Sequence, residues 1–251
     1  MPPRFGTLDS TAWGKWASTI DGYKTEQLTL KGANILELHI EIDDDPADAL
    51  IPKTMHPAIP AYSIFNVISY PDSPWGAFAI AELRVAGRTG VRPRGFVLAS
   101  ICNNEEAGKA FAGRWGYPIR RGDVKLELRH DRVVGRASLD DRPVLECELL
   151  DRDAISGGDI QYIASMHLAR NKDDGKLVVV QVDPEFTFSK GERGKPRVAL
   201  LDTDAFHCAS SLRLANPISA SFAVADVSLP KIRYICNPDL PAMQGTTKVA
   251  A

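Results

Sequence analysis

The sequence predicts an α+β fold made mostly of antiparallel β-sheet. Many short strand-like stretches occur, helical patterns are few, and strands do not alternate with helices as they do in parallel sheets. The segment 35–42, ILELHIEI, alternates in polarity and predicts a strand with one buried face. Such strands are expected to curve into a barrel or a sandwich. The other predicted strands are 61–70, 76–86, 94–102, 124–129, 132–138, 143–150, 160–169, 177–183, 185–189 and 220–235.

Helices and turns are predicted between these strands. Residues 8–20 begin with a capping residue, Asp9 or Ser10, and predict a short helix, and residues 104–115 predict a longer one. The pairs His130-Asp131 and Asp173-Asp174, the latter followed by glycine, predict hairpin turns. The segment 43–50 reads as a turn entering a short helix. The charged runs 43–45 and 190–195 are predicted to be solvated turns.

Composition indicates an ordinary globular chain. Its 251 residues are 44% hydrophobic and 25% charged, which is enough for a sizeable core. We expect an N-terminal helical segment at 1–30, a main domain at 31–236 and a tail at 237–251. A net charge of −2 and the lack of a long apolar run predict neither a nucleic-acid nor a membrane partner. Four widely spaced cysteines and no visible signal peptide predict buried free thiols in a reducing cytoplasm.

Metal and nucleotide cofactors are not predicted. Metal sites need clustered ligands, and His39 beside Glu37 is the only local pair of that kind. The sequence has no glycine-rich phosphate-binding motif and no GxSxG motif of a hydrolase.

The stretch 103–120, NNEEAGKAFAGRWGYPIR, resembles the signature segment of the acetoacetate decarboxylase superfamily. Residues 65–82, 123–137 and 219–234 resemble further parts of that family in the same order. The resemblance implies that the main domain is a cone-shaped antiparallel β-barrel with flanking helices and an apolar central cavity. It also implies a homodimer or a larger homo-oligomer.

The catalytic residues of that family do not carry over. Its members have two lysines after a Tyr-Pro or Phe-Pro step, and one of them forms a Schiff base with the substrate. Here Tyr117-Pro118 is followed by Ile119 and Arg120. Isoleucine cannot form an imine, and arginine stays protonated, so Schiff-base decarboxylation of acetoacetate is not expected. The family's two pocket glutamates correspond to positions near Asn66 and Ile80, and its substrate-orienting arginine to a position near Ala33.

Glu82 and Arg120 are the first two candidate catalytic residues. Glu82 shares a strand face with Phe78 and Ile80, so a cavity on that face would hold a carboxylate able to act as general acid or base. The alternative is a solvated Glu82 paired with Arg84. Arg120 could hold a substrate carboxylate or polarise a carbonyl, and its alternative role is a structural ion pair with an acid such as Glu82.

His39 is the third candidate catalytic residue. With Glu37 it would form an acid–base pair if the polar face of its strand lines the cavity; otherwise that face is simply solvated. Asn66 could donate to a substrate carbonyl or only hydrogen-bond along the strand edge. His167 and His207 lie in apolar runs and are expected to be satisfied core residues. The residues predicted to contact the substrate are Asn66, Phe78, Ile80, Tyr117 and Ile119.

Together these features predict a small-molecule enzyme. Its substrate would carry an enolisable carbonyl or a polyketide-like chain, and proton transfer would replace imine chemistry. Dehydration, cyclisation, aldol-type addition and simple decarboxylation all remain open. A non-catalytic protein that binds an apolar carboxylate ligand is the alternative. A decarboxylase using another lysine is a third hypothesis, with Lys125 nearest in sequence but expected to face water.

Overall fold

A computed structural model of the chain describes residues 4–208 and 211–249. Within these residues the α-helices are α1 Ser10–Trp13, α2 Asp44–Ala47, α3 Glu105–Trp115 and α4 Ala242–Gly245, and 3-10 turns occur at Gly14–Trp16, Asp48–Leu50 and Gly157–Asp159. The strands are β1 Ser18–Ile20, β2 Leu28–Ile42, β3 His56–Pro57, β4 Tyr62–Tyr70, β5 Phe78–Thr89, β6 Arg92–Cys102, β7 Ile119–Arg121, β8 Asp123–Leu128, β9 Arg132–Leu139, β10 Arg142–Ile155, β11 Ala164–Asn171, β12 Leu177–Val182, β13 Glu185–Leu201, β14 Leu214–Leu229, β15 Tyr234–Cys236 and β16 Thr246–Lys248.

All of these strands belong to one sheet. Its order is β16-β15-β12-β11-β6-β5-β4-β2-β14-β13-β10-β9-β8, with β1 beside β11, β3 beside β5 and β7 beside β6. Pairing is antiparallel except for β1 with β11, β11 with β6 and β6 with β7. The mostly antiparallel fold class is therefore confirmed. Strands β16 and β8 end the hydrogen-bonded order without pairing to each other, so the expected barrel is not closed by hydrogen bonds.

Two apolar layers lie on opposite faces of the central strands, because side chains alternate along each strand. The outer layer includes Leu36 and Phe65 and continues into β9 and β10. The inner layer includes Ile35 and Ile80 and is covered by α3. Strand β9 packs directly on β4, where a side chain at Gly135 would lie 2.7 Å from a methyl group of Val67. The sheet therefore folds back on itself and encloses the layer that we call outer. The opposite face of the central strands, which we call the inner face, carries the site described below.

Helix α3 positions the segment that leads into β7. Asn104 caps its N-terminus by accepting a hydrogen bond from the amide of Ala107, and Gly116 ends it in the left-handed conformation, with φ of 72°. Phe111 and Trp115 bury their rings in the inner layer. The chain then turns through Tyr117 and enters β7, as the predicted helix boundary requires.

Several element boundaries differ from the sequence-based expectations, and three of the differences concern the run 190–195, the strand 220–235 and the N-terminal helix. The charged run 190–195 is not a solvated turn but part of β13, because pairing with both β10 and β14 satisfies its backbone. The predicted strand 220–235 ends at Leu229, since Pro230 has no amide hydrogen to extend the ladder. The N-terminal helix stops at Trp13, and residues 18–20 form β1 instead.

The four cysteines are buried and free, which confirms the prediction for the thiols. In the part of the chain that the structure describes, every helix is too short or too polar to span a membrane.

Replacement of Gly135 tests the close packing of β9 on β4. We expect Gly135→Ala to lower the free energy of unfolding by about 1–3 kcal/mol, because the added methyl would collide with Val67 and with the sulfur of Cys147. Urea denaturation of both proteins measures the difference. Gly158→Ala is the matched control, since the nearest atom to its added methyl is 3.7 Å away. Equal losses in the two variants would contradict the packing argument.

Candidate functional site

A row of mostly polar residues crosses the inner face of the sheet. Its members stand directly opposite one another on neighbouring strands, so their side chains are within reach of each other. We call this set the polar row. In strand order from β14 through β2, β4, β5 and β6 to β7, its residues are Ser221, Glu37, Asn66, Glu82, Ser100 and Ile119.

A buried ion pair stands at the centre of the polar row. Glu82 and Arg84 share one face of β5 and are 1% and 6% exposed. The Nε of Arg84 donates to Oε2 of Glu82 at 2.8 Å, and Nη2 donates to the same oxygen. Burial is the largest single influence and acts to lower the pKa of Arg84. The charge of Glu82, the smaller effects of Tyr117 and Glu37 and the hydrogen bond to Glu82 together outweigh burial, so the pKa of Arg84 is raised and the guanidinium stays charged.

A second carboxylate, Glu37, is held on both sides. The amide nitrogen of Asn66 donates to its Oε2 at 3.0 Å, and Nε2 of His39 lies 3.0 Å from its Oε1. The side chain of Glu37 is buried, whereas that of His39 is 23% exposed. The expected His39–Glu37 pair therefore exists and lies on the inner face, at the end of the row that meets solvent.

Tyr117 and His167 pack against each other beside the ion pair, with ring centroids 3.9 Å apart and ring planes tilted by 47°. Burial, with the charge of Glu82 adding to it, raises the pKa of Tyr117, so the phenol keeps its proton. Burial lowers the pKa of His167 to about 3, so this ring is neutral. Its Nδ1 lies 2.8 Å from the carbonyl oxygen of Trp115 and must be the N–H donor. The other nitrogen, Nε2, therefore carries a lone pair.

Several polar atoms of this face have no hydrogen-bond partner in the described part of the chain. They include Oδ1 of Asn66, Oγ of Ser100 and Nε2 of His167, and these three residues are buried. Unpaired buried polar atoms are uncommon in folded proteins because each costs free energy. Their convergence beside Glu82 and Arg84 gives an arrangement able to receive the polar groups of a small molecule.

The structure brings most of the predicted site residues together. Glu82 and Asn66 are in the polar row, Phe78 and Ile80 lie on the same face in the inner layer, and Tyr117 packs beside Glu82. Ile119 ends the row opposite Ser100. These residues form one apolar-walled surface with polar groups at its centre.

Arg120, by contrast, lies on the other face. It stands opposite Ile101 of the outer layer, and its Nη1 donates to the carbonyl oxygen of Ala205 at 2.7 Å. The cation beside Glu82 is Arg84, which sequence reasoning placed only at a solvated strand end. The i,i+2 spacing of Glu82 and Arg84 carried the signal, since it puts both on one strand face. Ser100 gave no comparable signal.

Every lysine of the chain, including Lys125, is solvent-exposed in the structure. Among the described residues, the inner face thus carries the guanidinium of Arg84 and no lysine side chain.

The buried neutral His167 predicts a pH dependence of stability. The pKa of His167 is about 3 in the folded protein, against 6.5 ordinarily. The contribution of the neutral ring to the free energy of unfolding is therefore complete above pH 6.5 and is lost as the pH falls toward 3. The slope from one such group is at most about 1.4 kcal/mol per pH unit. We expect urea unfolding between pH 6.5 and 5 to show a smaller slope for His167→Gln than for wild type. His130→Gln, at an exposed hairpin tip, is the control, and an unchanged slope in His167→Gln would contradict the assignment.

Comparison with known proteins agrees with this architecture. The family model for acetoacetate decarboxylase matches residues 11–237. No curated protein shows significant similarity to the chain.

Solved structures show the same fold at low sequence identity. An acetoacetate decarboxylase from Legionella pneumophila superposes with a TM-score of 0.73 at 17% identity, covering 83% of this chain and 86% of that one. The enduracididine biosynthesis enzyme MppR, complexed with pyruvate, gives 0.66 at 14% identity, with 82% and 88% covered. An acetoacetate decarboxylase-like enzyme from Sphingomonas wittichii RW1 gives 0.64 at 16% identity, with 82% and 91% covered. Since the family model matches most of its length, this chain belongs to the acetoacetate decarboxylase family.

Proposed function

We propose that this chain is a small-molecule enzyme that acts on an enolisable carbonyl compound or a polyketide-like chain by acid–base catalysis, without a Schiff base. The observation that carries the proposal is the buried Glu82–Arg84 pair with unpartnered polar atoms around it. A carboxylate, a guanidinium and a phenol on one apolar face are the groups that proton transfer next to a carbonyl requires. The exposure of all lysines argues against an imine.

In this proposal Glu82 moves the proton on the carbon next to the carbonyl. Two of the three guanidinium nitrogens of Arg84, Nε and Nη2, donate to Oε2 of Glu82, which leaves Oε1 to approach the substrate. Negative charge that develops on the carbonyl oxygen would be stabilised by Arg84 and by the protonated Tyr117. Asn66 and Ser100 would orient the substrate's polar groups, and Nε2 of His167 would accept a hydrogen bond from a hydroxyl.

The charge balance of the inner face favours a neutral carbonyl compound. Arg84 is already neutralised by Glu82, and the second carboxylate, Glu37, is also on this face. A keto acid would add another negative charge without a free cation to receive it, and burial of an unpaired charge is costly. Dehydration, cyclisation and aldol-type addition therefore fit better than decarboxylation.

The apolar wall suits a flexible substrate. Phe78 and Ile80 lie beside the polar row and Ile119 ends it. Positioning of a folded chain can supply much of the rate of a cyclisation. The relative MppR has been solved with the condensation product of pyruvate and imidazole 4-carboxaldehyde, which supports keeping aldol-type chemistry among the candidates. We propose that substrate enters near His39, Tyr62 and Tyr162, the half-buried residues of this face.

A non-catalytic protein for an apolar carboxylate ligand is the second candidate. The burial of the four central residues of the polar row favours it, since a closed interior suits retention of a ligand; these residues are Glu37, Asn66, Glu82 and Ser100. Its anchor would be Arg84, because Arg120 is on the outer side. Since Glu82 already neutralises Arg84, the charge balance that disfavours a keto acid also counts against this candidate. Such a protein would bind without turnover.

We further propose that the protein works in the cytoplasm as a homodimer or larger homo-oligomer, with a small-molecule substrate and no metal or cofactor. The free buried thiols support a reducing compartment. The proposed chemistry uses only side chains of the chain itself.

Glu82→Gln tests the acid–base proposal. In heavy water with a panel of ketones, enones and β-keto acids, we expect wild type to exchange or convert at least one compound, as followed by NMR. The variant should lose at least about 100-fold of this rate, the lower limit of what a general acid–base group contributes. Glu146→Gln, which removes a carboxylate paired with Arg136 away from the inner face, should retain it.

Unfolding of the variant must be separated from loss of chemistry. Glu82→Gln leaves Arg84 buried without its counter-charge, which can cost about 3–5 kcal/mol of stability. The double variant Glu82→Gln with Arg84→Met removes both charges and is expected to fold and to be inactive. If the folded double variant turns over substrate as fast as wild type, Glu82 is not the proton carrier. If wild type is inactive toward the whole panel, the binding protein is favoured.

Reductive trapping tests the absence of an imine. Treatment with borohydride in the presence of β-keto acids is expected to leave the intact mass of the protein unchanged, because the inner face has no amine. Mass spectrometry with peptide mapping is the measurement. A substrate-dependent adduct on a lysine would restore the Schiff-base hypothesis.

A further inference from the structure

A hydrogen-bonded chain leads from the protein surface to the polar row. The hydroxyl of Ser219 lies 3.3 Å from Nδ1 of His39, and Nε2 of the same ring lies 3.0 Å from Oε1 of Glu37. Ser219 is exposed, the His39 side chain is 23% exposed and that of Glu37 is 2% exposed. The three residues thus form a path of two hydrogen bonds from solvent to the interior.

The strand pairing fixes this order. Glu37 and His39 are two residues apart on β2 and therefore share a face, and Ser219 on β14 stands directly opposite His39. Asn66 holds the second oxygen of Glu37, which keeps Oε1 turned to the imidazole. Because a carboxylate only accepts, Nε2 is the N–H donor and Nδ1 is the acceptor for the Ser219 hydroxyl.

We propose that His39 is a proton shuttle between solvent and Glu37, which connects the closed interior to bulk water. The inference rests on the proposed acid–base function, because Glu82 must return to its starting state after it exchanges a proton with a substrate, and Glu37 is the carboxylate on the solvent side of Glu82 in the polar row. The transfer between Glu37 and Glu82 would pass through a polar group of the bound substrate, since Asn66, which lies between them, is an amide and does not relay protons. A proton reaches Nδ1 from the Ser219 hydroxyl, which regains one from water. Nε2 then passes its own proton to Oε1 of Glu37, so one proton enters and one leaves the ring. The reverse sequence carries a proton out.

The surroundings of His39 suit this role. Glu37 and Glu41 share its strand face, Tyr62 of β4 lies with its ring 5.4 Å away, and β14 contributes Ser219. Glu41 accepts a hydrogen bond from Asn216 of β14. The groups that face the ring are thus two carboxylates, a phenol and neutral hydrogen-bonding groups. Imidazole is the side chain best suited to taking up and releasing protons near neutral pH.

The test follows wash-in of solvent deuterium into a compound that wild type turns over. Without the relay, a proton taken from the substrate returns to the same molecule more often than it exchanges. We expect His39→Gln to slow wash-in by about tenfold or more, less than the roughly 10²–10⁴-fold of a group acting directly on substrate. Added free imidazole should restore the rate, which a purely structural role of His39 would not allow. Ser219→Ala, at an exposed position, should show a smaller loss, and His130→Gln should match wild type.

Failure of the relay and failure of the function give different results. Suppose that wild type is active and that His39→Gln is folded. If the variant takes up deuterium as fast as wild type, or takes it up slowly and imidazole does not restore the rate, the relay is overturned and the acid–base proposal stands. If wild type exchanges none of the compounds, the proposed function itself fails. A substrate-free measurement adds an independent check, since ¹⁵N NMR of the His39 ring should show the Nε2–H tautomer. A ring that carries its hydrogen on Nδ1 would overturn the relay whatever the activity.

Discussion

The buried ion pair of Glu82 and Arg84 is the constraint on which the inner face depends. Removal of two charges from water costs several kcal/mol per ion, and only good geometry and further hydrogen bonds offset that cost. An apolar pair of similar volume would serve stability equally well or better. A pair placed at the centre of an otherwise apolar layer, beside polar atoms that lack partners, is therefore better explained by what the face binds than by what it contributes to folding.

The same pair determines the state of its neighbours. Tyr117 keeps its proton because burial is reinforced by the charge of Glu82, and His167 stays neutral because burial is reinforced by Arg84. Hydrogen-bond donors and acceptors beside the pair are thereby fixed in advance. Preorganised groups of this kind stabilise developing charge without reorganising during a reaction, which is the basis of electrostatic catalysis.

The two-residue repeat of a β-strand determines how much of this site could be predicted from the sequence. Alternation placed Phe78, Ile80 and Glu82 correctly on one face, and the same rule extends to Arg84. It could not say which of Ile119 and Arg120 turns inward, although adjacent residues of a strand cannot both do so. The family resemblance suggested the cavity for both, and contacts with Ser100 and Ala205 decide between them. Those contacts join residues far apart in sequence, so no local pattern could supply them.

The prediction for the run 190–195 was wrong for a related reason. Charge predicts exposure, but it does not reveal that two neighbouring strands pair with the backbone of this run.

The two ends of the polar row differ in their access to water, and this difference shapes what the face can do. At the Ser100 end the row is closed by α3 and the inner layer, whereas at the Ser221 end it meets the half-buried His39 and Tyr162. Exclusion of water strengthens the electrostatic interactions around Glu82, but it also isolates that carboxylate from the solvent proton pool. An acid–base site at the closed end would gain stronger electrostatic interactions but would need a route for protons. At the open end, hydrogen bonds join the hydroxyl of Ser219, the imidazole of His39 and the carboxylate of Glu37. In the proposed function, this difference in access to water along one row would reconcile a dry reaction centre with continuous proton exchange.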